Sequence, residues 1–133
     1  MSKEYIKHFD RWIERKKRIN DILGYVSFKE RDIWWCSIGC NIGSELDGKN
    51  DEFERPVIIF RKFSEDTAWI IPLISKTMTP GSMHEYDLTK NGKAIIADIS
   101  QLRIISTKRL LRYMDFLAYE DFQGIRKIYK NLT

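Results

Sequence analysis

The side chains able to do chemistry gather in one stretch, "SELDGKNDEFERPVIIF", residues 44–60, where a charged loop gives way at Arg55 and Pro56 to an almost purely apolar run. Arginine carries a permanent charge and a five-donor fork. Burying it unpaired is costly, whereas at the rim of a strand it can receive an anion such as phosphate. The same loop supplies anions of its own, because Glu45, Asp47, Glu52 and Glu54 are all close in sequence. Residue type alone leaves both readings open, a structural ion pair or a site for an arriving anion. Other reactive groups are sparse. His84 has the chemistry of a general base but falls in a turn-rich region and reads as a surface or hairpin residue. Cys36 and Cys40, on one straight strand, have Cα atoms about 13 Å apart at roughly 3.3 Å per residue, too far for a disulfide. Neither His8 nor His84 is nearby and no second cysteine pair exists, so metal-ligand spacing is lacking and the two read as small buried hydrophobes.

The elements that must position Arg55 are legible from periodicity. Asp32 to Ile38 is rich in aromatic and β-branched residues and reads as a strand; a long polar loop, 39–55, follows. Val57–Phe63 and Thr67–Ser75 are two apolar runs joined by Ser64-Glu-Asp66, the spacing of a hairpin. Pro80 and Gly81 mark residues 76–83 as another loop. His84–Leu88 and Ala94–Ala97 flank Lys90-Asn-Gly92, whose Asn-Gly step is a strong hairpin signal. Ile99–Ile105 reads as a further strand, and Tyr119–Leu132 as a helix with Phe122, Ile125, Ile128, Tyr129 and Leu132 turned inward. At the other end, residues 3–22 read as a helix with Tyr5, Ile6, Phe9, Trp12, Ile13 and Ile19 on one face, ended by Gly24. Arg15, Lys16, Lys17 and Arg18 on its opposite face read as a solvated surface, the sharper alternative being a phosphate-contacting patch. Five or six short strands with a helix at each end make a mainly β, α+β fold, a small curved antiparallel sheet or partly open barrel. The expected organisation is a helical extension, 1–24, packed on a barrel domain, 25–133.

A chain of 133 residues, 43% hydrophobic and 13% aromatic, supports one core and is too apolar for a disordered chain. A formal charge of +4 and a pI near 9.1 tilt it toward nucleic acid without reaching the strongly basic end. No stretch approaches the roughly 20 apolar residues of a membrane span, and the N-terminus has no apolar signal core. The cytoplasm is the expected compartment.

Three blocks, "RDIWWCSIGCNIGSELDGKNDEFERPVII", "WIIPLISK" and "ISQLRIISTKRLLR", resemble the signature blocks of the PemK/MazF toxins of bacterial toxin-antitoxin systems. The resemblance covers about residues 29–112 in order, plus a C-terminal helix of the expected kind; the N-terminal helix lies outside the family's minimal unit. It implies an SH3-like β-barrel that forms a homodimer and cuts single-stranded RNA with no metal and no cofactor. Cleavage would proceed through the ribose 2′-hydroxyl to a 2′,3′-cyclic phosphate, and an antitoxin would silence the protein.

Such an attack needs a group to take the 2′-hydroxyl proton, one to protonate the departing 5′-oxygen, and a cation where charge builds on the phosphoryl oxygens. The resemblance implies that Arg55, matching the arginine of the family's "RP" step, is catalytic. It places Ser44 and Glu45 at the RNA site through the "GSE" step, Glu45 to position Arg55 or assist proton transfer and Ser44 to donate to phosphate. Gln101 and Arg103 match a "QIR" step near the floor of the RNA groove, and Lys49 and Lys76 complete the expected RNA contacts. Two positions depart from the family pattern. Leu46 stands where glutamine is usual, and in "PLISK" Ile74 replaces a threonine that helps catalysis. Ser75 carries a hydroxyl beside it, but successive strand residues face opposite sides, so it substitutes only where the strand ends or bulges. An endoribonuclease is thus the first expectation and a catalytically inactive RNA- or protein-binding module the second. A poison of DNA gyrase, as a related barrel is, is the third, on fold analogy alone.

Overall fold

The computed structural model describes residues 5–75 and 84–133. In chain order these form helix α1 (Phe9–Asn20), strands β1 (Asp32–Ser37), β2 (Glu54–Lys62), β3 (Thr67–Ser75), β4 (Glu85–Lys90), β5 (Lys93–Asp98), β6 (Arg103–Ser106) and β7 (Leu110–Phe116), and helix α2 (Tyr119–Leu132). The strands pair antiparallel in the order β4-β5-β3-β2-β1-β7. β3 shares its outer edge between two partners, β6 along Thr67–Ile70 and β5 along Leu73–Ser75.

The apolar run at Val57–Phe60 follows from burial of both sheet faces, which removes the alternation expected of a half-exposed strand. Val57 and Ile59 face one cluster with Phe28, Trp34, Cys36, Ile70, Ile105 and Leu110. Ile58 and Phe60 face the other, with Ile71, Leu73, Leu88, Ala97, Phe122 and Ile125. The first cluster draws Ile105 from β6 and Leu110 from β7, so the sheet wraps around it; β6 and β7 are not paired with each other, which leaves the barrel open. α2 covers the second cluster. Phe122 and Ile125 are buried, with Phe122 5.9 Å from Phe60 between ring centroids, while Leu132, expected inward, is exposed.

The N-terminal helix is shorter than its periodicity suggests. It starts at Phe9, and of the expected inner face only Trp12 and Ile19 are buried; Tyr5, Ile6, Phe9 and Ile13 face solvent. Trp12 lies on Gly39, Cys40 and Phe53. Gly39 has φ +91°, and a Cβ there would sit 2.4 Å from the indole, so backbone conformation and close approach both require glycine. Ile99–Ile105 also differs from the expected strand. Residues 99–101 form a 3-10 turn capped by the Asp98 side chain, and the strand begins at Arg103. β7 has no counterpart in the sequence reading: it is an edge strand with Tyr113, Met114 and Phe116 exposed, so no buried alternation announces it. Both cysteines are free and buried, and burial pushes the Cys36 thiol up to about 12, so it behaves as a hydrophobe.

Candidate functional site

Arg55 sits near the start of β2, opposite Cys36 of β1, and is 7% exposed. Its Nε donates to the main-chain carbonyl of Asp47, which is its single hydrogen bond among the described residues. Burial pulls its pKa below the usual guanidinium range, and Tyr5 and Asp47 oppose that pull. None of the four neighbouring acids pairs with it. Glu45 Oε1 accepts from Ile42 N at 3.1 Å and closes its own turn. The Asp47 carboxylate accepts from Tyr5 Oη at 3.0 Å and Asn41 N at 2.6 Å and pairs with Lys7 at 3.3 Å. Glu52 lies 4.0 Å from Arg15. Glu54 takes both fork nitrogens of Arg112, at 2.9 and 3.1 Å, and Asn50 Nδ2 at 2.9 Å. Glu45, Asp47, Glu52 and Glu54 each bond elsewhere and the remaining loop acid, Asp51, is exposed, so no carboxylate among the described residues pairs with Arg55 and its charge can take another anion.

The loop that carries Asp47 is held mainly by its backbone. Ile38 N and Gly39 N both donate to Phe53 O, Gly48 N donates to Gly39 O at 2.8 Å, and Lys49 and Glu54 exchange main-chain bonds at 2.9 Å. Asn41 spans the turn with bonds to the carbonyls of Ile38 and Leu46. Phe53 adopts φ +53°, costly for a bulky residue and tolerated where the surroundings over-determine it. A Cβ on Gly48 would lie 1.7 Å from Phe53 O. Gln101 and Arg103, expected near the groove floor, hold this loop: Gln101 Oε1 accepts from Leu46 N at 3.1 Å, and Arg103 Nη1 donates to Ile38 O at 3.1 Å. Lys7 adds a bond to Gly43 O at 3.1 Å, so the segment before α1 grips the loop from outside. Leu46 packs half-buried against the barrel cluster, which accounts for an apolar residue there.

Arg55 lines a cavity of about 760 Å³ together with Trp35, Lys49, Asn50, Glu54, Pro56 and Met114 and with Leu73, Ile74, Ser75, Lys90, Lys93 and Ile95. The β2–β3 pairing ends at Val57 against Pro72, beyond which Ile74 pairs with Ile96 of β5; Arg55 and Ile74 both line the cavity. Ile74 is buried at 4% and Ser75 is exposed at the last described residue of the strand; both line the cavity. Ser44 and Glu45 are exposed in the turn and do not line it, and Lys76 lies outside the described residues. Lys90 and Lys93, which sequence reasoning missed, add two cations to Arg55 and Lys49; Lys90 is paired with Asp115, and the only signal of either was its place beside Asn-Gly. The arrangement can hold a sugar-phosphate chain, with cations for the phosphates and Trp35, over which Arg112 lies at 4.8 Å, as an aromatic wall. Among the described residues no three His, Cys, Asp or Glu come together as a metal site.

Comparison with known proteins adds an independent line. A family model described as PemK-like, MazF-like toxin of type II toxin-antitoxin system matches residues 29–132. No curated protein matches the sequence. Among solved structures, MazF (Form-I) from Deinococcus radiodurans is similar with a TM-score of 0.64 at 16% identity, covering 82% of this chain and 97% of that one. The Mycobacterium tuberculosis toxin MazF-mt6 gives 0.58 at 14% identity, covering 76% and 94%. A structure titled Mtb toxin gives 0.52 at 15%, covering 59% and 92%. At these identities the structures speak to the fold alone.

Proposed function

Since this chain belongs to the PemK-like, MazF-like toxins of type II toxin-antitoxin systems, we propose that it is a metal-independent endoribonuclease acting on single-stranded RNA. In this reading the 2′-oxygen attacks phosphorus as its proton leaves, the bond from phosphorus to the 5′-oxygen breaks, and that oxygen takes up a proton. The products are a 2′,3′-cyclic phosphate and a free 5′-hydroxyl. Arg55 stabilises the charge that builds on the phosphoryl oxygens. Lys49 and Lys93 guide the backbone, and the Ser75 hydroxyl serves proton transfer from the end of β3. The observation that carries the reading is the state of Arg55: beside an open cavity, with Glu45, Asp47, Glu52 and Glu54 each bonded elsewhere and no carboxylate among the described residues paired to it. The same premise gives the protein a homodimeric form, an antitoxin partner and a place in the cytoplasm, with residues 1–24 as an addition to the barrel. Incubation with a long single-stranded RNA in EDTA, beside an Arg55→Ala control, tests it. Intact RNA, or cleavage that survives the substitution, overturns it.

One observation favours a second reading, an inactive RNA-binding module. Ile74 is buried, lines the same cavity as Arg55 and has no hydrogen-bonding side-chain group, and Glu54, the carboxylate lining the cavity, is taken by Arg112. Ile74→Thr separates the two. A gain in cleavage identifies a weakened nuclease, and RNA binding with no cleavage in either protein identifies the module.

A further inference from the structure

At the far end of β2, about 17–20 Å from Arg55 along the strand at roughly 3.3 Å per residue, a second cavity of about 440 Å³ opens between the β2–β3 hairpin and α2. Phe60, Phe63, Trp69 and Tyr129 form its wall in a continuous edge-to-face series: Phe63–Trp69 at 5.1 Å and 84°, Trp69–Tyr129 at 6.0 Å and 62°, Tyr129–Phe60 at 5.2 Å and 69°. Only Phe60 is buried; Phe63 is 48% exposed. Three cations, Arg61, Arg126 and Lys130, line the same cavity. Arg126 and Lys130 stand one turn apart on α2 and so share a face. Lys7, Lys90 and Arg112 each have a carboxylate within 3.3 Å. These three have none among the described residues, and Arg61 makes only a cation–π contact, 5.6 Å from the Phe63 ring. The acid in the lining, Glu30, accepts from Lys62 N at 2.9 Å.

Three cations against the single carboxylate of Glu30 leave the cavity with a net positive charge, which an anion there would relieve. The aromatic wall narrows which anion. A bare ion has no use for it, and a purely apolar ligand would leave that net charge uncompensated. A flat ring joined to an anion uses both features. We propose that this cavity binds a nucleotide unit, its base against the aromatic wall and its phosphate on Arg61, Arg126 and Lys130. A bounded, flat-walled cavity with arginine forks suits a nucleotide better than an extended acidic peptide, and its size is within the range of small-ligand sites. The inference does not rest on cleavage at Arg55.

The full chain carrying Arg55→Ala, so that RNA stays intact, is titrated with 5′-AMP, adenosine, inorganic phosphate and a ten-nucleotide single-stranded RNA, following the indole N–H signals by NMR. The expected result is saturable AMP binding that shifts the Trp69 signal, with adenosine and phosphate each weaker. The exposed double substitution Arg61→Ala/Arg126→Ala, which leaves the core untouched, weakens AMP by at least about tenfold, and Trp69→Leu weakens it by roughly tenfold to a hundredfold. RNA that competes with AMP identifies an RNA strand as the source of the nucleotide, and RNA that does not identifies a free nucleotide. Phosphate binding as well as AMP, AMP binding indifferent to Arg61→Ala/Arg126→Ala, or no binding by AMP or RNA overturns the proposal. So does an acidic tryptophan peptide that binds there when nucleotides do not.

Discussion

The two ends of β2 both present arginine beside aromatic surface, yet they treat it in opposite ways. At Arg55 the guanidinium is 7% exposed, tied by Nε to a main-chain carbonyl, and bordered by a loop in which Glu45, Asp47, Glu52 and Glu54 all bond elsewhere. At Arg61 and Arg126 the side chains are exposed and held by nothing firmer than a ring contact. A charge that must meet a developing charge gains from being fixed in advance, because no reorganisation is then needed when the bond breaks. A charge that only attracts an anion tolerates mobility. The contrast separates a place for chemistry from a place for binding, and substitution can break it.

The largest effect falls on Arg55. Arg55→Lys keeps a positive charge but loses the fork and the Nε donor that reaches Asp47. RNA cleavage should drop about 100-fold to 1000-fold, nearly as far as with Arg55→Ala. The matching Arg126→Lys should change AMP affinity only a few-fold, since a point charge still attracts phosphate. Equal losses at both ends would erase the distinction.

Next is the loop that fixes Arg55. In Gly48→Ala the new methyl would stand 1.7 Å from the Phe53 carbonyl, so the Gly39–Gly48 and Ile38–Phe53 main-chain bonds must give way. A loss of about 2–4 kcal/mol in denaturant unfolding is expected, with cleavage reduced and AMP binding in the surviving folded protein unchanged. Smaller still is the grip of the N-terminal segment on Asp47. Tyr5→Phe with Lys7→Met removes one hydrogen bond to a carboxylate, one ion pair and the Lys7 bonds to the Asn41 and Gly43 carbonyls, worth about 2 kcal/mol together at a largely buried carboxylate. Cleavage should fall a few-fold through kcat with KM little changed, because the segment acts on the holder of Arg55 and lines no part of the cavity.

How legible each end was in the sequence follows from what holds it. The Asn91-Gly92 turn was plain because both residues need positive φ, and they have it, at +52° and +76°. The strand at Val57–Phe60 was plain because burial on two faces leaves a continuous apolar signal. Arg55 stood out as a charge at the start of that run. Its holder did not, because a bond to a main-chain carbonyl leaves no trace in residue type, and any of four acids was as good a candidate. Which acid goes where is decided by Arg112, Arg15 and Lys7, all distant in sequence. The extent of α1 was overread because apolar spacing says which residues could share a face and not how much surface awaits them. The aromatic cavity joins Phe63, Trp69 and Tyr129 from three elements, a meeting no local pattern announces.

The smallest effect tests whether Arg55 is free because Glu54 is occupied. Burial pushes the Glu54 carboxyl up, but bonds from Arg112 and Asn50 more than offset this and leave it below its ordinary value of 4.5. A group whose folded pKa is depressed contributes stability above the unfolded value, and loses it as pH falls through the folded one. The pair's contribution is therefore complete above about pH 4.5 and fades below it, so the parent protein should lose more stability than Arg112→Ala between about pH 5 and pH 3. The difference is small because the Arg112 side chain is 53% exposed and solvent screens it. At neutral pH, Arg112→Ala leaves an uncompensated carboxylate lining the Arg55 cavity, so RNA binding should weaken, and more at low salt than at high salt. At physiological salt, AMP binding at the far end lies more than two Debye lengths away and should not move. If RNA binding holds steady at every salt concentration, Glu54 does not compete with the phosphate, and the freedom of Arg55 has another cause.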